Sequence, residues 1–211
     1  MANAVRRSLA VAAALAAAAV APAAAAQGAP PAGRWALGLR LGLFDMTNAA
    51  DSYDAIYGDP MPQVGIQVER DWRRWRFDLA ADWGEVDGER AFPTVPPFGT
   101  GIDETLTLLP VHLTAAYRFR PGSRWDVYAG AGPSHLSWED ESDFASASGS
   151  QVGGSALLGL RRQGRRGGWE VGAEVRWSTF PGALPDAGFA GLFNEDDPGG
   201  LALTVVGLRG F

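Results

Sequence analysis

The 211-residue chain has no cysteine and no lysine, only two histidines, and beyond its first residues no long apolar run. Without cysteine there is neither a disulfide nor a thiolate metal site, so packing and the hydrogen-bond ladder must hold the fold together. All 18 basic residues are arginine, outnumbered by 24 acids for a net charge of −6. That balance leaves no basic surplus to neutralise phosphates and argues against nucleic acid as a partner. The exclusive use of arginine, in a chain rich in alanine and glycine, reads as coding bias more than as chemistry. Downstream of Gln27 the apolar runs are short and broken by Gly, Arg or Asp, so no helix of about 20 apolar residues is available to cross a membrane. A chain of this kind enters a bilayer only as a closed barrel, the other fold that satisfies every backbone group in lipid.

What is present begins with a processing signal. Arg6 and Arg7 precede an apolar run from Leu9 to Val20, and Ala24, Ala25 and Ala26 supply the small residues of a cleavage site. Residues 1–26 are therefore expected to be a cleaved signal peptide, with Gln27 the first mature residue. Residues 27–211 then form one domain of 185 residues, in which 16 arginines face 24 acids.

Period-two alternation marks the strands. In Arg73 to Trp83, Trp75, Phe77, Leu79, Ala81 and Trp83 share one face while Arg74, Arg76, Asp78, Ala80 and Asp82 share the other. Arg34 to Phe44 and Trp169 to Phe180 repeat the pattern, and Trp35, Trp75, Trp83, Trp169 and Trp177 are placed as an aromatic girdle at the membrane interfaces. Five further segments fit: Met61 to Arg70, Asp103 to Arg120, Arg124 to Trp138, Gln151 to Arg162 and Gly200 to Phe211. The alternation slips near Pro133, which predicts a bulge or a strand end there. The fold class is thus all-β, an eight-stranded antiparallel up-and-down transmembrane barrel.

Connections give independent support. Three are tight (Arg70 to Arg73, Arg120 to Arg124, Arg162 to Gly168) and four are long (Asp45 to Pro60, Glu85 to Ile102, Glu139 to Ser150, Pro181 to Gly199), in strict alternation. The tight turns carry arginine and the long loops carry most of the acids, as periplasmic turns and extracellular loops would. The chain ends on Phe211, which resembles the C-terminal aromatic signal read by the barrel-insertion machinery. Arg209 stands where an apolar residue is usual, with Leu208 displaced by one, so a bulge near Gly207 or Gly210 is needed to restore the phase.

The segments Leu108-Leu109-Pro110-Val111-His112-Leu113, Tyr117-Arg118-Phe119 and Val127-Tyr128-Ala129-Gly130-Ala131-Gly132 resemble small outer-membrane β-barrel proteins of the OmpA-barrel, OmpX and OmpW kind. The resemblance implies a Gram-negative outer-membrane location, with lipids and lipopolysaccharide as surroundings, and a monomer. It implies architecture more than activity, because this fold hosts many functions.

The inward faces collect Arg40, Gln67, Glu69, Arg76, Asp78, Asp82, His112, Arg118, Glu170, Glu174 and Arg176. In a barrel just wide enough for side chains these opposite charges are expected to pair and plug the lumen. His135 and Ser137 share a strand face near Glu139 and are the weak candidates for a catalytic pair of lipid A deacylase type. The acidic runs Asp140 to Asp143 and Glu195 to Asp197 lack an ordered ligand spacing, so no metal site and no cofactor is assigned. Asp51 to Tyr57 and Ala187 to Phe193 are expected as short helical turns on the first and fourth loops. Their aromatics suit partner contact or packing over the mouth equally. The resulting expectation is a non-enzymatic barrel acting in envelope integrity or surface interaction through its loops. A narrow conduit for small or hydrophobic solutes is the alternative, and a lipid A-modifying enzyme the second.

Overall fold

A computed structural model describes residues 33–92, 98–143, 145–164, 168–183 and 195–211. The expected signal peptide, Arg165 and Arg166, and the helical turn expected over Ala187 to Phe193 lie outside the described residues.

Among these residues eight strands follow one another around a closed barrel: β1 (Trp35–Asp45), β2 (Met61–Trp72), β3 (Trp75–Phe92), β4 (Phe98–Arg118), β5 (Trp125–Ser142), β6 (Ala145–Gln163), β7 (Trp169–Thr179) and β8 (Gly200–Gly210). Each pairs antiparallel with its sequence neighbour, and β1 closes on β8 from Ala36 opposite Gly210 to Asp45 opposite Leu201. Closure leaves no open strand edge at membrane depth, where no water can substitute for a missing partner, and the ladders skip a step beside Pro110 and Pro133 without changing register.

The period-two faces of β1, β3 and β7 explain the outside. Trp75, Phe77, Leu79 and Trp83 of β3 are exposed, as are Trp35, Leu37, Leu39 and Leu43 of β1, while the residues between them are inward. Trp75 to Trp83 and Trp169 to Trp177 are both eight-residue intervals. At about 3.3 Å per residue and a strand tilt of about 40°, each spans roughly 20 Å of membrane thickness. Trp72 and Trp125 join the girdle at the turn end, and all of these rings are exposed.

Three sequence expectations need correction. The first is the slip at Pro133. β5 keeps one register with β6 from Trp125 opposite Arg162 to Ser142 opposite Ala145, and its pairing with β4 has the same offset on both sides of Pro133. The inner face instead changes character, from Asp126, Tyr128 and Ser134 to Leu136 and Trp138, so the polarity pattern inverts while the geometry continues. The second is the bulge near Gly207. β8 runs unbroken against both neighbours, Leu208 points inward and Arg209 outward. The third concerns two of the four long loops. β3 and β4 continue as paired strands to Phe92 opposite Phe98, and β5 and β6 to Ser142 opposite Ala145. Their outer faces carry Glu85, Asp87, Glu89, Asp103, Glu139 and Glu141. These strands have left the bilayer, so both of their faces are free to be polar and the apolar alternation disappears.

The first connection folds into a 3-10 turn (Thr47–Ala49) and a short helix α1 (Ala50–Ile56). The Glu195 carboxylate accepts from the Asp51 and Ser52 amides at its start. Tyr53 and Tyr57, one turn apart with rings 5.3 Å from each other, are buried and not presented to solvent. They belong to an apolar cluster with Phe44, Met46, Met61, Leu106, Leu108, Leu136, Trp138 and Phe180 that fills the loop end of the barrel. Burial pushes both phenols up from their ordinary range.

Close strand approach is bought with glycine on β5. A side chain on Gly132 would start 1.9 Å from the Leu113 carbonyl oxygen, and one on Gly130 2.6 Å from the Ala116 Cα. Gly132→Val should therefore destabilise the folded barrel by about 1–3 kcal/mol, read as a lower urea midpoint of tryptophan fluorescence for protein in lipid vesicles.

Candidate functional site

The lumen below the apolar cluster is a lattice of arginines and carboxylates. Inward positions on β1, β3, β4, β6 and β7 place Arg40, Arg76, Arg118, Arg161 and Arg176 in the interior, all fully buried. A guanidinium in that setting must be paired and hydrogen-bonded or it is very costly.

Glu174 on β7 is the hub. One of its oxygens accepts from Arg40 Nη1 at 2.7 Å, and the other accepts from Arg161 Nη2 at 2.8 Å and from the Tyr128 hydroxyl at 2.6 Å. Arg40 also donates to Asp82 at 2.8 Å and to Gln67 at 2.9 Å. Arg161 reaches Glu69 on the far wall and donates its Nε to the Tyr128 hydroxyl. The Tyr128 ring lies between the guanidiniums of Arg76 and Arg161, at 4.6 and 4.9 Å from its centroid. Room for that ring comes from Gly159 directly opposite, where a Cβ would fall 2.2 Å from the tyrosine Cζ.

Toward the turns the lattice continues. Arg76 pairs with Asp71 at 2.9 Å, and Arg118 pairs with the same carboxylate at 2.9 Å and with Asp126 at 2.5 Å. Arg34 at the rim holds Glu170 at 3.1 Å. Toward the loops, Arg176 donates to Thr114 at 2.8 Å and approaches Asp78 at 3.4 Å, while His112 Nδ1 meets the Ser134 hydroxyl at 2.7 Å. Between this lattice and the apolar cluster a cleft lined by Gln63, His112, Arg176, Phe44, Leu136 and Phe180 holds about 10 Å³, about the volume of one water. Among the described residues the lattice and the apolar cluster follow one another from turn end to loop end.

All eleven residues assigned to the lumen by alternation (Arg40, Gln67, Glu69, Arg76, Asp78, Asp82, His112, Arg118, Glu170, Glu174 and Arg176) are buried there. Sequence reasoning missed Arg161, Asp71, Asp126 and Tyr128. Asp71 and Arg161 lie two residues beyond inward Glu69 and Gly159, so extending the alternation would have found both. Asp71 lies in the segment Arg70 to Arg73, which reads from the sequence as a tight turn.

The candidate catalytic pair is placed elsewhere. His135 and Ser137 are on the outer face of β5, opposite Val152 and Ser150 of β6, while the histidine that does meet a serine is the inward His112. The acidic runs are also not clusters. Asp140 faces inward and Glu141 outward, and Asp197 spends its oxygens on Asn48, Thr179 and the amides of Phe180 and Gly199. Among the described residues no group of three or more His, Asp or Glu is arranged to hold a metal.

Removing the hub leaves two buried guanidiniums short of a partner. Glu174→Ala should cost about 3–5 kcal/mol of unfolding free energy in vesicles, and Glu174→Gln measurably less.

Comparison with known proteins agrees with this architecture. A family model described as "Outer membrane protein beta-barrel domain" matches residues 10–197. Among solved structures, Neisserial surface protein A (NspA) aligns with a TM-score of 0.52 at 12% identity, covering 85% of this chain and 97% of that one. Ail, the attachment invasion locus protein of Yersinia pestis, solved with the heparin analogue sucrose octasulfate, aligns with a TM-score of 0.48 at 13% identity over 85% of this chain and 98% of its own. No curated protein matches the sequence.

Proposed function

The chain belongs to the outer-membrane β-barrel domain family, and from that membership and its filled lumen we propose a non-enzymatic surface protein that works through the sheet standing above its sealed mouth. A conduit needs a continuous path, and here an ion-paired lattice and an apolar cluster block it in series. A lipid hydrolase needs a nucleophile and base in contact, and the outward His135 and Ser137 make no such hydrogen bond.

The observation that carries the reading is the edge of β6. Its pairing with β7 stops at Gly154 opposite Thr179, whereas its pairing with β5 continues to Ala145. Residues 145–153, about 30 Å of strand, therefore present backbone donors and acceptors that no described residue occupies as a strand. The segment reads Ala-Ser-Ala-Ser-Gly-Ser-Gln-Val-Gly, without charge, proline or bulge. Those are the devices that normally blunt an exposed edge. At the other margin of the protruding sheet, the inward face at Gly88 of β3 packs against Ile56 and Tyr57. A bare edge of this kind takes up an extended segment of another protein as an added strand, with small side chains leaving the backbone accessible.

Two measurements test the reading. In planar bilayers the purified barrel should give no unitary conductance steps, and steps would favour the conduit. Bacteria displaying the protein should adhere to cultured cells more than bacteria lacking it, and Ser148→Pro should abolish the gain while surface levels of folded barrel stay unchanged. Equal adhesion by wild type and variant would remove the edge from the account.

A further inference from the structure

Charge is divided between the two ends of the barrel, and its division at the turn end has a specific form. Arg70, Arg73, Arg74, Arg120, Arg124, Arg162 and Arg209 are all exposed there. None makes an ion pair among the described residues; Arg74 donates only to the Tyr117 hydroxyl at 2.9 Å. The acids of the same end (Glu69, Asp71, Asp126 and Glu170) are all turned inward and held by lumen arginines. Among the described residues the charged side chains exposed at this end are all arginine, although the chain as a whole is acidic.

The arginines are also placed. Arg70 is directly opposite Trp35, Arg162 opposite Trp125, and Arg209 opposite Trp169 in the strand registers. Each guanidinium lies over the ring of its partner, at 5.2, 5.8 and 5.7 Å from the centroid. Arg73 covers Trp72 in the same way at 5.6 Å. The motif recurs at separate strand pairs around the wall. Stacking fixes each guanidinium at the depth where tryptophan marks the membrane interface and leaves its N–H fork free to chelate a phosphate.

We propose that this rim is a binding belt for the phosphodiester headgroups of anionic phospholipids in the leaflet that surrounds it, each gripped by an arginine seated on a tryptophan. The occupant follows from the level and the chemistry. The rings face outward, the charges sit at their level, and among the described residues no Asp or Glu side chain competes for them. The proposal does not depend on the β6 edge, since it concerns the opposite end of the molecule.

The test uses the full barrel reconstituted in phosphatidylcholine vesicles with trace spin-labelled phosphatidylglycerol or spin-labelled phosphatidylcholine. The motionally restricted fraction in the electron paramagnetic resonance spectrum gives the relative association of each. Wild type should favour phosphatidylglycerol by roughly three- to fivefold, falling toward unity in about 0.5 M NaCl. The triple variant Arg70→Gln, Arg162→Gln, Arg209→Gln should lose most of the preference even at low salt. Should the triple variant not fold, each single substitution supplies the comparison, with a partial loss expected from each. Absence of preference in wild type, or equal preference in wild type and the substituted proteins, would overturn the proposal.

Discussion

An arginine inside a narrow barrel has no water shell to return to, so each one must be met by carboxylate or by another acceptor on the opposite wall. Glu174 answers this demand for two guanidiniums and a phenol at once, and Asp71 for two more arginines. Because these partners come from β1 through β7, the lattice ties walls that share no backbone hydrogen bonds. Arg40 to Glu174 spans the intervening β8, and Arg161 to Glu69 reaches across the lumen itself. The backbone ladder closes the barrel, and the lattice crosses its interior.

The same demand shapes the exterior. Carboxylates at the turn end are drawn inward to neutralise the lumen, which strips that end's outer surface of negative charge and leaves its arginines unopposed. Above the membrane the requirement lapses. The interior there is mainly an apolar core of Phe44, Met61, Leu106, Leu136, Trp138 and Phe180, with Glu104 and Asp140 also inward, while most of the acids stand on the outer face of the sheet. The proposed functions therefore sit on the surfaces: a strand edge that no described residue pairs at one end, and stacked arginines at the other.

How much of this is legible in the sequence depends on where a strand lies. At membrane depth one face is apolar and the other is not, so β1, β3 and β7 and their inward Arg40, Asp78 and Glu174 can be read from alternation. Where both faces are polar, as at Glu85 to Glu89, or both small, as at Ser146 to Ser150, the same backbone looks like a loop. At Leu136 and Trp138 the inward face turns apolar, and a continuous strand reads as a slip at Pro133. Tyr128 was visible only as part of a Gly-rich strand. Its role needs the cross-strand partner Gly159 and two arginines from other strands, a juxtaposition that no local pattern contains.

The lattice is tested most directly by a double-mutant cycle on Arg161 and Glu69, replacing each with Met or Gln and measuring unfolding free energy in vesicles for the two single variants and the double. A coupling energy of about 1–3 kcal/mol is expected for a buried pair acting as one unit. Additivity within about 0.5 kcal/mol would mean the two charges do not hold each other across the lumen, and would contradict the account.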